Sequence, residues 1–89
     1  MIYTLENDSL KVQVNSHGGE LWSIQTKDGV EYLWQGDETY WKDRALNLFP
    51  YIARLTEVKY MLDGKTYEMP IHGFVNSSDL EAEEHTAQR

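Results

Sequence analysis

The chain has 89 residues, 40% of them hydrophobic and 26% charged, with no cysteine and a formal net charge of -7. That composition argues against disorder, and the acidic surface argues against charge-driven binding of nucleic acid or anionic membranes. Without cysteine there is no disulfide staple and no thiolate zinc site, and a chain this short buries little more than about 60% of its unfolded surface. It is a thin single domain or a piece of a larger one.

Met1-Ile2-Tyr3-Thr4-Leu5 carries no basic leader, and no long apolar stretch follows. The expectation is therefore no signal peptide, no membrane span and a cytoplasmic location. Leu10 to Val14 alternates, with Leu10, Val12 and Val14 on one face and Lys11 and Gln13 on the other, the pattern of a half-buried strand. Gly18-Gly19 marks a turn, and Leu21 to Thr26 reads as the next strand. Asp28-Gly29 leads tightly into Val30 to Trp34, a third strand. Asp37 or Thr39 could cap a short helix through Tyr40, Trp41 and Arg44 that Pro50 closes soon after. Lys59-Leu62 and Lys65-Met69 flank Asp63-Gly64, a dipeptide suited to a hairpin turn with positive φ at both positions.

The last segment, Asp79 to Gln88, has the acidic start of a helix, but its place in a β-rich chain favours a strand with Leu80 and Ala82 inward. Its four carboxylates oppose only Arg89. No repeat or linker divides the chain, so residues 1–89 read as one all-β unit. Five or six such strands form a sheet whose apolar face wants a second layer. Unpaired strand edges could also drive self-association.

Three histidines and one arginine are candidates for chemistry. His17 lies in a turn, and His85 lies in the acidic tail, where a solvated side chain is expected. His72 lies in Met69-Pro70-Ile71-His72-Gly73-Phe74, where Gly73 allows a ligand or another backbone to approach closely. From local pattern alone, a structural histidine hydrogen-bonded near a turn explains it as well. Arg54 follows the apolar run Leu48-Phe49-Pro50-Tyr51-Ile52-Ala53 and needs a partner, either Glu57 or a sugar or acid ligand. Trp22, Trp34 and Trp41 suit stacking on sugar rings, and suit a β-sheet core equally well. No metal-ligand spacing, phosphate loop or nucleophile elbow occurs, so no metal or cofactor is expected.

Three segments in order, Asn47 to Leu55, Lys59 to Tyr67 and Met69 to Phe74, resemble the aldose 1-epimerase (galactose mutarotase) family, in its bacterial galactose mutarotase-like, LacX-type branch. The N-terminal pair of strands, the Gly-Gly-x-Leu turn and Tyr32-Leu33-Trp34-Gln35-Gly36 fit the same resemblance, which covers essentially all 89 residues. The resemblance implies the N-terminal part, roughly a third, of a large β-sandwich (a supersandwich) that interconverts the α and β anomers of a free aldose without a cofactor. It also implies an isomerase of carbohydrate metabolism whose partner is a monosaccharide, a hexose such as galactose or glucose. The family's sugar-positioning arginine and first histidine fall on Arg54 and His72. Its acid histidine and base glutamate are expected beyond residue 89, so the resemblance assigns no catalytic residue here and implies that the 89 residues alone are inactive. The alternative is a non-catalytic carbohydrate-binding or interaction module on the same surface. Two positions depart from the family pattern. Ala53 stands where better-known members have asparagine and related branches often glycine, and Val58 stands where a small or turn-forming residue is common.

Overall fold

A computed structural model describes residues 1–89. Three strands, β1 (Ile2–Glu6), β2 (Leu10–Asn15) and β3 (Glu20–Thr26), form an antiparallel meander in the order β1-β2-β3. The register pairs Tyr3 with Val14, Leu5 with Val12, and Val12 with Ile24, so the alternating apolar residues share one face. A bulge between Gln13 and Val14 shifts the register and brings Leu21 opposite Val14. Polar turn residues set both connections. The Asn7 side-chain oxygen accepts the N–H groups of Ser9 and Leu10, each at 2.8 Å. That of Asn15 accepts the His17 N–H at 3.0 Å, just before Gly18 and Gly19 turn the chain at positive φ.

A second sheet is the hairpin of β4 (Lys59–Leu62) and β5 (Lys65–Glu68), turned by Asp63 (φ 50°) and Gly64 (φ 77°). Here the Asp-Gly expectation holds, because both turn positions take the left-handed conformation that a tight hairpin requires. Tyr60 and Tyr67 stack across it with ring centroids 5.2 Å apart.

Three sequence expectations change. The strand over Val30–Trp34 shrinks to a single bridge between Gln25 and Glu31. The Glu31 carboxylate accepts the N–H groups of Ile24, Tyr32 and Leu33 and the Ser23 hydroxyl. The Tyr32 N–H also keeps its bridge bond to the Ile24 carbonyl, but the Ile24 donor that would extend the ladder is taken by the side chain. The helix over Asp37–Leu48 is one turn, in which the N–H groups of Tyr40 and Trp41 both bond to the Asp37 carbonyl. Beyond it Ala45 bridges Leu21 in extended form.

The strand over Asp79–Gln88 becomes an irregular tail touching the meander at separate points: Leu80 N–H to the Ser16 carbonyl, and Glu6 N–H to the Ala87 carbonyl. Its carboxylates stay in solvent, and Leu80 and Ala82 are exposed rather than inward. His85, expected to be solvated, is exposed, and also bonds through Nε2 to the Thr4 carbonyl at 2.8 Å and packs edge-on against Tyr3.

Nothing covers the sheets. No hydrophobic residue is fully buried. The accessible surface is 6937 Å², against roughly 5,400 Å² for a compact protein of this mass. The radius of gyration is 16.6 Å, against about 12 Å for a compact chain of this length. The 89 residues form a slab 16 Å thick with open apolar faces. No helix is long and apolar enough to cross a membrane.

Candidate functional site

The expected apolar run Leu48–Ala53 is not an interior segment: Phe49 is 57% and Ile52 74% exposed. Its backbone is instead cross-linked to Met69–Phe74. The Phe49 N–H donates to the His72 carbonyl at 3.2 Å, and the Phe74 N–H to the Phe49 carbonyl at 2.9 Å. The Tyr51 hydroxyl donates to the Met69 carbonyl at 3.0 Å and bonds the Pro70 carbonyl as well. Gly73 bridges Phe49 in parallel, and a Cβ added to Gly73 would collide with the Phe49 carbonyl and the Pro50 ring. The close approach expected at Gly73 is thus made by another stretch of backbone, and the Phe49-Pro50 bond on that stretch is cis.

This clamp brings the backbone at the two candidate residues together, although they stand 18 positions apart in the chain. His72 N–H donates to the Ala53 carbonyl at 2.9 Å, and Ala53 N–H donates back to His72 Nδ1 at 2.8 Å. Arg54 is the next residue. The geometry matches the reading of a histidine hydrogen-bonded near a turn. The ring is half-buried and hydrogen-bonded near a turn, while its Nε2 carries no bond within the chain.

The two arginines of the molecule's middle region separate structural from available guanidinium. Arg44 lies 3.7 Å over the Trp22 ring and donates to the Trp22 carbonyl at 3.0 Å and to Gln35 Oε1 at 2.9 Å. Arg54 is exposed and makes no such bonds. The Glu57 partner that the sequence allowed does not form, since the ion pairs are His17–Asp79, Lys27–Glu6 and Arg89–Glu84. The five donors of the Arg54 guanidinium are therefore unspent, as an oxygen-rich ligand would require.

Around the site the charge is set by other groups. Burial pushes the Glu20 carboxyl above its ordinary value, an effect the nearby Arg44 opposes. At Glu31, desolvation works against the charged form, but the Ser23 hydroxyl and the three backbone N–H groups outweigh it and hold the carboxyl below its ordinary value. Neither group touches Arg54 or His72. Recesses of about 270, 340 and 200 Å³ lie against the meander and its tail, the first lined by Tyr3, Leu5, Val14, Leu80 and His85. Neither Arg54 nor His72 lines any of these three recesses.

Three residues that build the junction between Phe49–Ala53 and Met69–Phe74 were not among the candidates from the sequence. Asn47 ties it to the meander, donating through Nδ2 to the Gly18 and Gly19 carbonyls at 2.9 and 2.7 Å. Tyr51 fixes the approach to His72. Ala53 holds the imidazole, and the only signal it gave was as a departure from the family pattern. Trp34 and Trp41, two candidates for stacking or core, are exposed and bonded to each other, indole N–H to backbone carbonyl at 2.7 Å.

The family model for aldose 1-epimerase matches residues 1–89. Two LacX proteins of Lactococcus lactis subsp. lactis, one plasmid-borne and one chromosomal, are 39% and 38% identical to the chain over 94% of its length. The chain spans 30% of each of those relatives. Among solved structures, a galactose mutarotase related enzyme of Lactobacillus acidophilus superposes with a TM-score of 0.93 at 39% identity, over 98% of this chain and 29% of that one. A galactose mutarotase-like protein of Lactobacillus casei ATCC 334 gives a TM-score of 0.93 at 36% identity, over 98% of this chain and 30% of that one.

Proposed function

The chain belongs to the aldose 1-epimerase family, and from that premise we propose that Arg54 and His72 are the sugar-holding wall of an anomer-interconverting site. The substrate is a free aldose, a hexose such as galactose or glucose. The observation that carries the reading is the clamp, which ties a half-buried His72 to Ala53, the residue just before an exposed Arg54 that has no ion-pair partner, across a separation that only the fold closes. Both groups donate hydrogen bonds, and a pyranose offers ring and hydroxyl oxygens to receive them.

Anomer interconversion needs a base to take the proton of the anomeric hydroxyl and an acid to protonate the ring oxygen as the bond from C1 to that oxygen breaks. The aldehyde then rotates, and the ring closes on its other face. Two proton-transfer groups on opposite sides of the sugar with staggered pKa values are required. In this reading Arg54 and His72 bind and orient, and the acid and base come from sequence that the relatives, more than three times as long, have in addition. The 89 residues then bind sugar weakly and do not turn it over.

Chemical-shift titration of the protein with galactose and glucose tests the reading. Saturable shifts at Arg54, His72 and their neighbours, lost in Arg54→Ala, are expected. No shifts up to high sugar concentration would sink it. Polarimetry on α-galactose tests the division of labour: anomer exchange well above buffer, abolished by His72→Ala, would show that these residues catalyse by themselves.

A further inference from the structure

Each histidine has one ring nitrogen in a hydrogen bond, and the partner decides which nitrogen carries the proton. His17 Nδ1 faces the Asp79 carboxylate and His85 Nε2 faces the Thr4 carbonyl, both at 2.8 Å. Those partners only accept, so in each case the facing nitrogen carries hydrogen. At His72 the polarity reverses. The partner is the Ala53 N–H, a donor, so Nδ1 must present its lone pair and the proton of the neutral ring resides on Nε2.

The arrangement is over-determined. Ala53 and His72 are joined a second time through the His72 N–H and the Ala53 carbonyl. Both residues are held in the left-handed region, at φ 79° and 64°, where a side-chain-bearing residue persists only under the constraint of its surroundings. The Tyr51 hydroxyl on one flank and the Gly73 contact with Phe49 on the other supply that constraint.

We propose that Ala53 is a positioning residue whose backbone N–H locks His72 as the Nε2–H tautomer, so that His72 meets its ligand as a hydrogen-bond donor and not as a base. The ligand half of this statement rests on the reading of Arg54 and His72 as the sugar-holding pair. The lock has a chemical consequence. With Nδ1 engaged by the Ala53 N–H, the ring nitrogen left for a ligand is the one that carries hydrogen. His72 is therefore a fixed donor. Together with Arg54 it makes a wall of donors only, which selects lone-pair-bearing oxygens and offers nothing to a hydroxyl hydrogen.

The test uses the full 89-residue chain labelled with ¹⁵N. Two-bond nitrogen–proton correlations identify the tautomer of each histidine, and a through-hydrogen-bond coupling between the Ala53 amide nitrogen and His72 Nδ1 reports the lock directly. The expected result is that coupling, with the Nε2–H form of His72 in about tenfold excess or more, a ratio that one hydrogen bond of ordinary net strength sustains. Its absence in the unaltered protein overturns the proposal. A synthetic chain with L-lactate in place of Ala53 keeps the shape and exchanges the N–H for an oxygen. Its tautomer ratio falls about three- to tenfold, whereas Ala53→Gly, which keeps the N–H, leaves the ratio high. An unchanged ratio in the lactate chain overturns the lock. Galactose added to the same samples separates the two readings. A locked tautomer whose Nε2 resonance ignores galactose supports the lock and overturns the sugar assignment.

Discussion

The meander and the site-bearing segment after it are built on different terms. In residues 1–52 no residue other than glycine has positive φ. All five that do, Ala53, Glu57, Val58, Asp63 and His72, fall within the next 20 residues. At about 1–2 kcal/mol for each left-handed residue with a side chain, the second region carries a load that the first does not. Asp63 belongs to a hairpin turn that favours it. Of the other four, Ala53 and His72 are the bonded pair of the clamp, and Glu57 and Val58 follow Arg54 closely in the chain. The meander is cheap, regular backbone, and the site is irregular backbone held in place by cross-links. Such strain persists only where neighbouring contacts dictate it, and it gathers where groups must be aimed.

The sharpest way to break that contrast is at Gly73. Gly73→Ala forces a methyl into the Phe49 carbonyl and the Pro50 ring at a position that already has φ 79°. Strain and overpacking together cost about 3 kcal/mol or more and separate the two halves of the clamp. Gly64→Ala is the control, since Gly64 has a similar φ of 77° and open space around its missing Cβ, so about 1 kcal/mol is expected. Urea unfolding gives the two energies, and amide exchange at Ala53 and Phe74 reports the clamp. Equal losses for the two variants would mean that the Phe49 approach is not what holds the site.

The contrast sharpens if strain is relieved instead. Val58 is β-branched and sits at φ 60°, and Ala53 sits at φ 79°. These are the two positions at which the sequence departs from the family pattern, and glycine or asparagine tolerates that conformation where valine and alanine do not. Val58→Gly should stabilise the chain by about 1 kcal/mol and Ala53→Gly by slightly less, both read as a higher urea midpoint with unchanged slope. A lower midpoint for Val58→Gly would remove strain as the distinguishing mark of the second region.

These departures show how much the sequence can reveal. Strands β2, β3, β4 and β5 were legible because alternation and the Asp63-Gly64 turn are local signals. Arg54 and His72 were legible as motif residues. Their junction through Ala53 was not, since a backbone N–H meeting an imidazole 19 residues away leaves no periodic trace. The strand expected at Val30–Trp34 was misread for a related reason. It is rich in strand-forming residues, but past the single bridge the Glu31 carboxylate captures the Ile24 and Leu33 donors that a longer ladder would need. The alternating faces also promised burial, and burial depends on a covering layer that no strand reveals about itself.

The smallest expected effect lies in the meander and concerns acid. Glu31 is held below its ordinary value, so the stability it contributes is present above its unfolded pKa and is lost as pH falls through its folded one. Glu20 is pushed up by burial, so its contribution has the opposite sign, present below its unfolded pKa and lost as pH rises through its folded one. On acidification the loop at residues 31–33 therefore loosens while the start of β3 does not. Carboxyl ¹³C titration should find Glu31 protonating last and Glu20 first among the glutamates, and exchange protection at Ile24, Tyr32 and Leu33 should fall only at a pH below the ordinary glutamate range. Glu31→Gln should accelerate exchange at those three amides already at neutral pH and leave those of Ala53 and Phe74 unchanged. Coupled loosening at both places would mean that the two regions are one cooperative unit and that their difference in backbone strain has no counterpart in how they open.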